Sequence, residues 1–174
     1  MINKLILILL AILAVGINGN CQTQIGNDID GEFIGDLSGH SVAVSANGSI
    51  VAIGAIENDD GGNRSGHVRV YENVDGTWAQ LGEDIAGEAT DDRSGWSLDI
   101  SADGHVVAIG SDLNNFWKGQ VEIYEYIGGT WTQIGEDIEG EQFQELSGTS
   151  ISLSNDGSIV AISSPRYDGA FENT

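Results

Sequence analysis

Beyond residue 21, apolar residues in this chain alternate with polar ones or gather in short blocks, and never fall at helical spacing. Val42 and Val44, then Trp96, Leu98 and Ile100, then Ile151 and Leu153 mark strands with one apolar face and one small or polar face. Each is followed by Asn47-Gly48, Asp103-Gly104 or Asp156-Gly157, dipeptides that tolerate positive φ as two-residue hairpins demand. The next strand, Val51-Ala52-Ile53, Val107-Ala108-Ile109 or Val160-Ala161-Ile162, is apolar on both faces, which predicts that it is sandwiched. A polar loop leads to a third strand whose inward residues are Val68 and Val70, or Val121 and Ile123, followed by Tyr71 or Tyr124. A turn at Asp75-Gly76 or Gly128-Gly129 then opens a fourth strand carrying Trp78 or Trp131.

These strands recur with the sequence itself. QIGNDIDGE from Gln24 returns as QLGEDIAGE from Gln80 and QIGEDIEGE from Gln133, and Ser38-Gly39 returns as Ser94-Gly95 and Ser147-Gly148, at offsets of 56 and 53 residues. A unit of that size cannot bury its own apolar face and must stack on copies of itself. Four antiparallel strands per unit without a helix describe a blade of a β-propeller, so the expected fold is all-β. The difference between the two periods falls between the second and third strands, where Gly54 to Gly66 spans 12 positions and Gly110 to Gly119 spans 9. Gln22 aligns with Trp78, and Thr174 with Ser65 inside a third blade. The expectation is therefore an incomplete, N-terminal portion of a larger propeller, about two and a half blades over 22–174.

Residues 1–21 read as a secretory signal peptide: Lys4 supplies the positive end, Leu5 to Val15 the apolar run, and Gly19-Asn20-Cys21 small residues for cleavage before Gln22. The rival is a lipoprotein leader with Cys21 acylated. A cut that removes Cys21 leaves a mature chain without cysteine, whose stability rests on core burial and not on disulfides. Charge is strongly unbalanced, with 27 Asp and Glu against 6 Lys and Arg, net −21. Such a surface excludes nucleic acid as a partner, is repelled by anionic membranes and attracts divalent cations. No membrane insertion is expected after signal cleavage.

With these residues in view, the chain resembles the FG-GAP repeats of integrin-type β-propellers, in the form found in secreted bacterial proteins. The Phe-Gly position of that family is similar to Ser38-Gly39, Ser94-Gly95 and Ser147-Gly148, and its Gly-Ala-Pro position to Gly54-Ala55-Ile56, Gly110-Ser111-Asp112 and Ser163-Ser164-Pro165. The Phe is absent from all three copies and the Pro from two. The resemblance implies an extracellular propeller of about seven blades used for adhesion or ligand display. Family blades that hold calcium carry an Asp-rich loop between the first two strands, whereas Ser45-Ala46-Asn47-Gly48-Ser49 is a bare hairpin that cannot supply six converging oxygens. That calcium site does not carry over.

Candidate chemistry is sparse. The loop containing Asn58, Asp59 and Asp60 is oxygen-rich and is the expected place for weak calcium binding, against a plain solvated loop; its counterpart lacks most of the carboxylates. His40, His67 and His105 occupy three different repeat positions and are not expected to act together. Glu88, Asp91 and Asp92 lie near Ser94, but Ser-Gly recurs in every unit, as a backbone requirement would. Trp78 and Trp131 are expected to pack blade on blade. Phe116 and Trp117 have no aromatic counterparts and sit on the variable loop, where ligand or partner contact is expected, with a local hydrophobic plug as the bland alternative. The expected function is a secreted or cell-surface binding or adhesion module, with an unknown extracellular protein or glycan as partner and no catalysis in this segment. The alternatives are a propeller hydrolase or lyase whose active site lies in blades beyond this segment, and a structural envelope protein.

Overall fold

In the computed structural model, residues 23–166 are described. The leader, Cys21 and the last eight residues lie outside them. Two five-stranded sheets and a two-stranded one follow in sequence, all antiparallel, and none of them closes on itself. The first is ordered β1 (Ser38–Val44), β2 (Ile50–Ala55), β3 (His67–Val74) and β4 (Thr77–Gln80), with β5 (Ile85–Ala86) continuing along the far edge of β3. The second repeats it as β6 (Ser97–Ile100), β7 (Val106–Ser111), β8 (Gln120–Ile127) and β9 (Thr130–Gln133), with β10 (Ile138–Glu139) on β8. The third is the pair β11 (Ser150–Leu153) and β12 (Val160–Ser163).

The sheets stack through their apolar faces. Ile50, Ala52, Val68, Val70 and Ile85 of the first meet Ile100, Val107 and Ile109 of the second in one buried cluster. β7 carries Val107, Ala108 and Ile109 with no exposed surface, as a strand sandwiched on both faces must. β1, β6 and β11 lie side by side at one margin of the stack. There Ser41 and Ser97 donate their hydroxyls to the carbonyls of Gly95 and Gly148 in the following sheet, at 2.5 and 2.7 Å. The other face of the first sheet stays open, with Val42 68% and Val44 59% exposed.

Two kinds of hairpin appear where one was expected. Asp75-Gly76 (φ 51° and 85°) and Gly128-Gly129 (φ 61° and 99°) close the β3–β4 and β8–β9 hairpins with two residues at positive φ. The Asn47-Gly48 turn is longer: Ser45 pairs with Ile50 across four intervening residues, and positive φ falls on Gly48 alone. The side chains supply the reason. Asn47 Oδ1 accepts the Ser45 hydroxyl and the Ser49 N–H, while Ser45 Oγ accepts the Ile50 N–H, so the side chains of the Ser-x-Asn turn take over bonds that a tight turn makes with backbone. Ser101 with Asp103, and Ser154 with Asp156, repeat it.

A single helical turn stands at Asn114–Trp117, and it is left-handed, with Asn115, Phe116 and Trp117 at φ 47°, 60° and 69°. Three consecutive residues in that region are sterically disfavoured by roughly 1–2 kcal/mol each. Among the described residues, no helix is long and apolar enough to cross a membrane.

Candidate functional site

Among the described residues, one histidine and three carboxylates converge at the start of β3. His67 is 1% exposed, and its Nδ1 has no hydrogen-bond partner. Three carboxylates surround that nitrogen: Asp60 Oδ2 at 3.4 Å, Asp84 Oδ2 at 3.6 Å and Glu32 Oε2 at 4.0 Å. One ligand atom from each of the four residues lies within 4.8 Å of all the others.

Four separate segments build this cluster. His67 opens β3, held between Ala55 of β2 and Ala86 of β5. Asp60 belongs to the β2–β3 loop, where its N–H donates to Asn58 Oδ1 at 2.9 Å. Asp84 lies between β4 and β5, and the amide of Gln80 donates to its Oδ1, which leaves Oδ2 for His67. The same Gln-to-Asp bond joins Gln24 to Asp28 and Gln133 to Asp137, so it accounts for the recurring Gln and Asp of the QIG-x-D motif. Glu32 precedes β1 and divides its oxygens, Oε1 standing 3.6 Å from Arg69 Nη1 and Oε2 facing His67. Arg69 also donates to the carbonyl of Asp30 at 2.9 Å.

The second sheet keeps part of this arrangement and inverts the rest. Glu88 and Asp137 stand where the first unit has Glu32 and Asp84, but Gln120 replaces His67 and Glu122 replaces Arg69. Glu122 is 1% exposed, and burial pushes its carboxyl up to about 7, with Tyr124 donating to Oε1 at 3.0 Å and Glu88 and Asp137 nearby. In the first unit the acids thus face the Arg69 guanidinium, whereas in the second burial among acids favours the neutral form of the Glu122 carboxyl.

The residues singled out from sequence scatter. Of Asn58, Asp59 and Asp60, only Asp60 reaches the cluster. Asn58 turns inward and donates to Asp36 Oδ2 at 3.0 Å, and Asp59 Oδ1 accepts the Arg64 N–H at 2.8 Å. The loop is not an open carboxylate basket, because Arg64 grips Glu57 through Nε at 2.7 Å and Nη2 at 3.1 Å. Phe116 and Trp117 are 80% and 46% exposed on the left-handed turn, not a buried plug. Asp92 is buried, accepts the Ala89 N–H at 2.8 Å, and has its carboxyl pushed up by burial. Ser94 Oγ is buried without a partner, and Gly95 at φ 87° lies against Gly54 and the His67 carbonyl. The Ser-Gly step is therefore a close approach of backbones, as its recurrence implied. His40 instead lies 4.7 Å from the Trp96 ring.

Sequence reasoning did not bring His67, Glu32 and Asp84 together. The available signal was that Glu and Asp recur at these places while His67 departs from the repeat.

No family model matches the chain, and no curated protein matches it. Among solved structures it is similar to one described as a "putative 6-phosphogluconolactonase" from Bacteroides uniformis, at TM-score 0.45 and 17% identity over 70% of this chain. The chain spans 31% of the length of that protein. The expectation that this segment carries no catalysis is corrected by this finding, since that neighbour is described as an enzyme. A likeness of that size transfers no activity.

Proposed function

We propose that these sheets are consecutive blades of an FG-GAP-like β-propeller that works as an exported binding module. Support for the blade reading comes from the four-strand order of the first two units, the lateral contact of β1, β6 and β11, and the bond from each outer-strand tryptophan to the preceding unit, Trp78 Nε1 to Ile25 O at 3.0 Å and Trp131 Nε1 to Leu81 O at 2.7 Å. Support for export comes from the leader-like sequence of residues 1–21.

The observation that carries the binding reading is the contrast between uniform scaffold and divergent loop. Strands, turns and inter-sheet bonds repeat, while among the described residues the β7–β8 loop alone presents two adjacent exposed aromatics on strained backbone. Strain of this kind gathers at functional loops, and exposed aromatics supply contact area with little entropy to lose. The ligand is an extracellular one with an apolar face, of which a sugar ring is the simplest. Screening the full chain against an extracellular glycan panel tests this: wild type binds at least one member, and the Phe116→Ser, Trp117→Ser double variant loses at least tenfold while keeping its thermal midpoint. Undiminished binding by the double variant, or no binding by wild type, overturns it.

A further inference from the structure

The geometry points to a divalent transition-metal site formed by His67, Asp60, Asp84 and Glu32, which fastens the segment before β1 to the first sheet. Three observations carry it. A histidine nitrogen sealed from solvent faces only carboxylates. The carboxylate oxygens stand at 3.4, 3.6 and 4.0 Å from Nδ1, and none of them makes a hydrogen bond to it. Tetrahedral ligands about 2.1 Å from an ion lie about 3.4 Å apart; Asp60 and Asp84 already stand near that separation from Nδ1, and Glu32 at 4.0 Å would draw inward on binding.

The donor set selects the ion. One imidazole and three carboxylates suit zinc or manganese, whereas calcium takes six to eight oxygens and no nitrogen. The carboxylates are the accessible part, with side-chain exposures of 34% for Glu32, 47% for Asp60 and 25% for Asp84, so an ion enters from solvent and ends against the buried nitrogen. Arg69 on Glu32 Oε1 leaves Oε2 free and fixes its direction. The second unit, with Gln120 and Glu122 at the equivalent places, lacks both the imidazole and this orienting cation. One ion per chain follows for the described residues. Because Glu32 precedes β1, Asp60 and Asp84 lie on loops of the first unit and only His67 sits on a strand, the ion ties together segments that strand pairing leaves separate.

The test is calorimetric titration of zinc chloride into the full chain after chelator treatment and buffer exchange. The expected result is one saturable site per chain, weakened at least tenfold in His67→Gln and in Asp84→Asn, unchanged in Asp137→Asn, and not displaced by millimolar calcium. Zinc raises the thermal midpoint of wild type and not of His67→Gln. Should His67→Gln fail to fold, nitrogen-15 spectra of wild type give the same answer: zinc shifts Nδ1 of His67 and leaves His40 and His105 in place. Absence of a one-site isotherm, equal affinity in a folded His67→Gln, displacement by calcium, or a shift at His40 or His105 alone overturns the proposal. This outcome is independent of the glycan screen, since Phe116 and Trp117 supply no ligand.

Discussion

Trp131 donates its indole N–H to the carbonyl of Leu81 at 2.7 Å, joining outer strands that belong to successive sheets. Its ring also lies 2.9 Å from where a Cβ on Gly82 would stand, and Gly82 holds φ 80°. Trp78 repeats both contacts with Ile25 and Gly26. The Trp and the Gly of the QIG motif are thus two halves of one joint, formed between neighbouring units.

Trp131→Phe keeps the ring face and deletes the donor, so it should destabilise the chain by about 1 kcal/mol. Gly82→Ala adds backbone strain to a clash and should cost about 2 kcal/mol. Urea denaturation of both variants reads these values. A Gly82→Ala variant as stable as wild type would show that this joint contributes nothing.

Glu122 sets a pH dependence whose sign is fixed. Its carboxyl titrates at about 7 in the fold against an ordinary 4.5, so between those values the folded state binds more protons than the unfolded. Stability from this group is complete below about pH 4.5, falls as pH rises through 7, and is lost above it, a change of roughly 3 kcal/mol. Glu122→Gln should remove that portion of the pH dependence and be more stable than wild type at pH 8. Parallel denaturation curves for the two proteins at pH 5 and pH 8 would contradict this.

The Ser94-Gly95 step separates a nucleophile from a backbone contact. Ser94→Ala removes a buried hydroxyl that has no partner and should change stability by less than about 0.5 kcal/mol, or improve it. Gly95→Ala must place a methyl 3.0 Å from both Gly54 Cα and the His67 carbonyl at φ 87°, and should cost about 2 kcal/mol or more. Thermal midpoints decide between the two roles, and the reverse order of sensitivity would refute this assignment.

Asp36 and Asn58 form a buried pair that Asp92 and Asn114 repeat. A double-mutant cycle through Asp36→Ala and Asn58→Ala should return a coupling of about 1.5–3 kcal/mol, in the range for a hydrogen bond to a charged group. A coupling near zero would mean that the pair merely fills space.

Much of the architecture was legible in the chain because it is written locally. Val107-Ala108-Ile109 announced a strand buried on both faces, Asp75-Gly76 a two-residue turn, and the recurrence of Trp78 and Trp131 a contact between units. Each of these rests on alternation, turn chemistry or repeat phase, which are properties of a few consecutive residues. The Asn47-Gly48 hairpin was read too short because the deciding bonds come from the side chains of Ser45 and Asn47, which a dipeptide rule does not weigh.

The site was illegible for a different reason. Glu32, Asp60, His67 and Asp84 meet only after the segment before β1 folds against the sheet, the β2–β3 loop closes, and β5 pairs with β3. Sequence alone placed Asp60 on a loop and left His67 without a partner. Tertiary structure decided which carboxylate oxygens point at the imidazole and which are taken by Gln80 or Arg69. The hydrophobic pattern specifies strands because burial of a face is a local periodic requirement. Convergence of four side chains depends on register and on the relative placement of segments, and no single stretch of sequence carries that information.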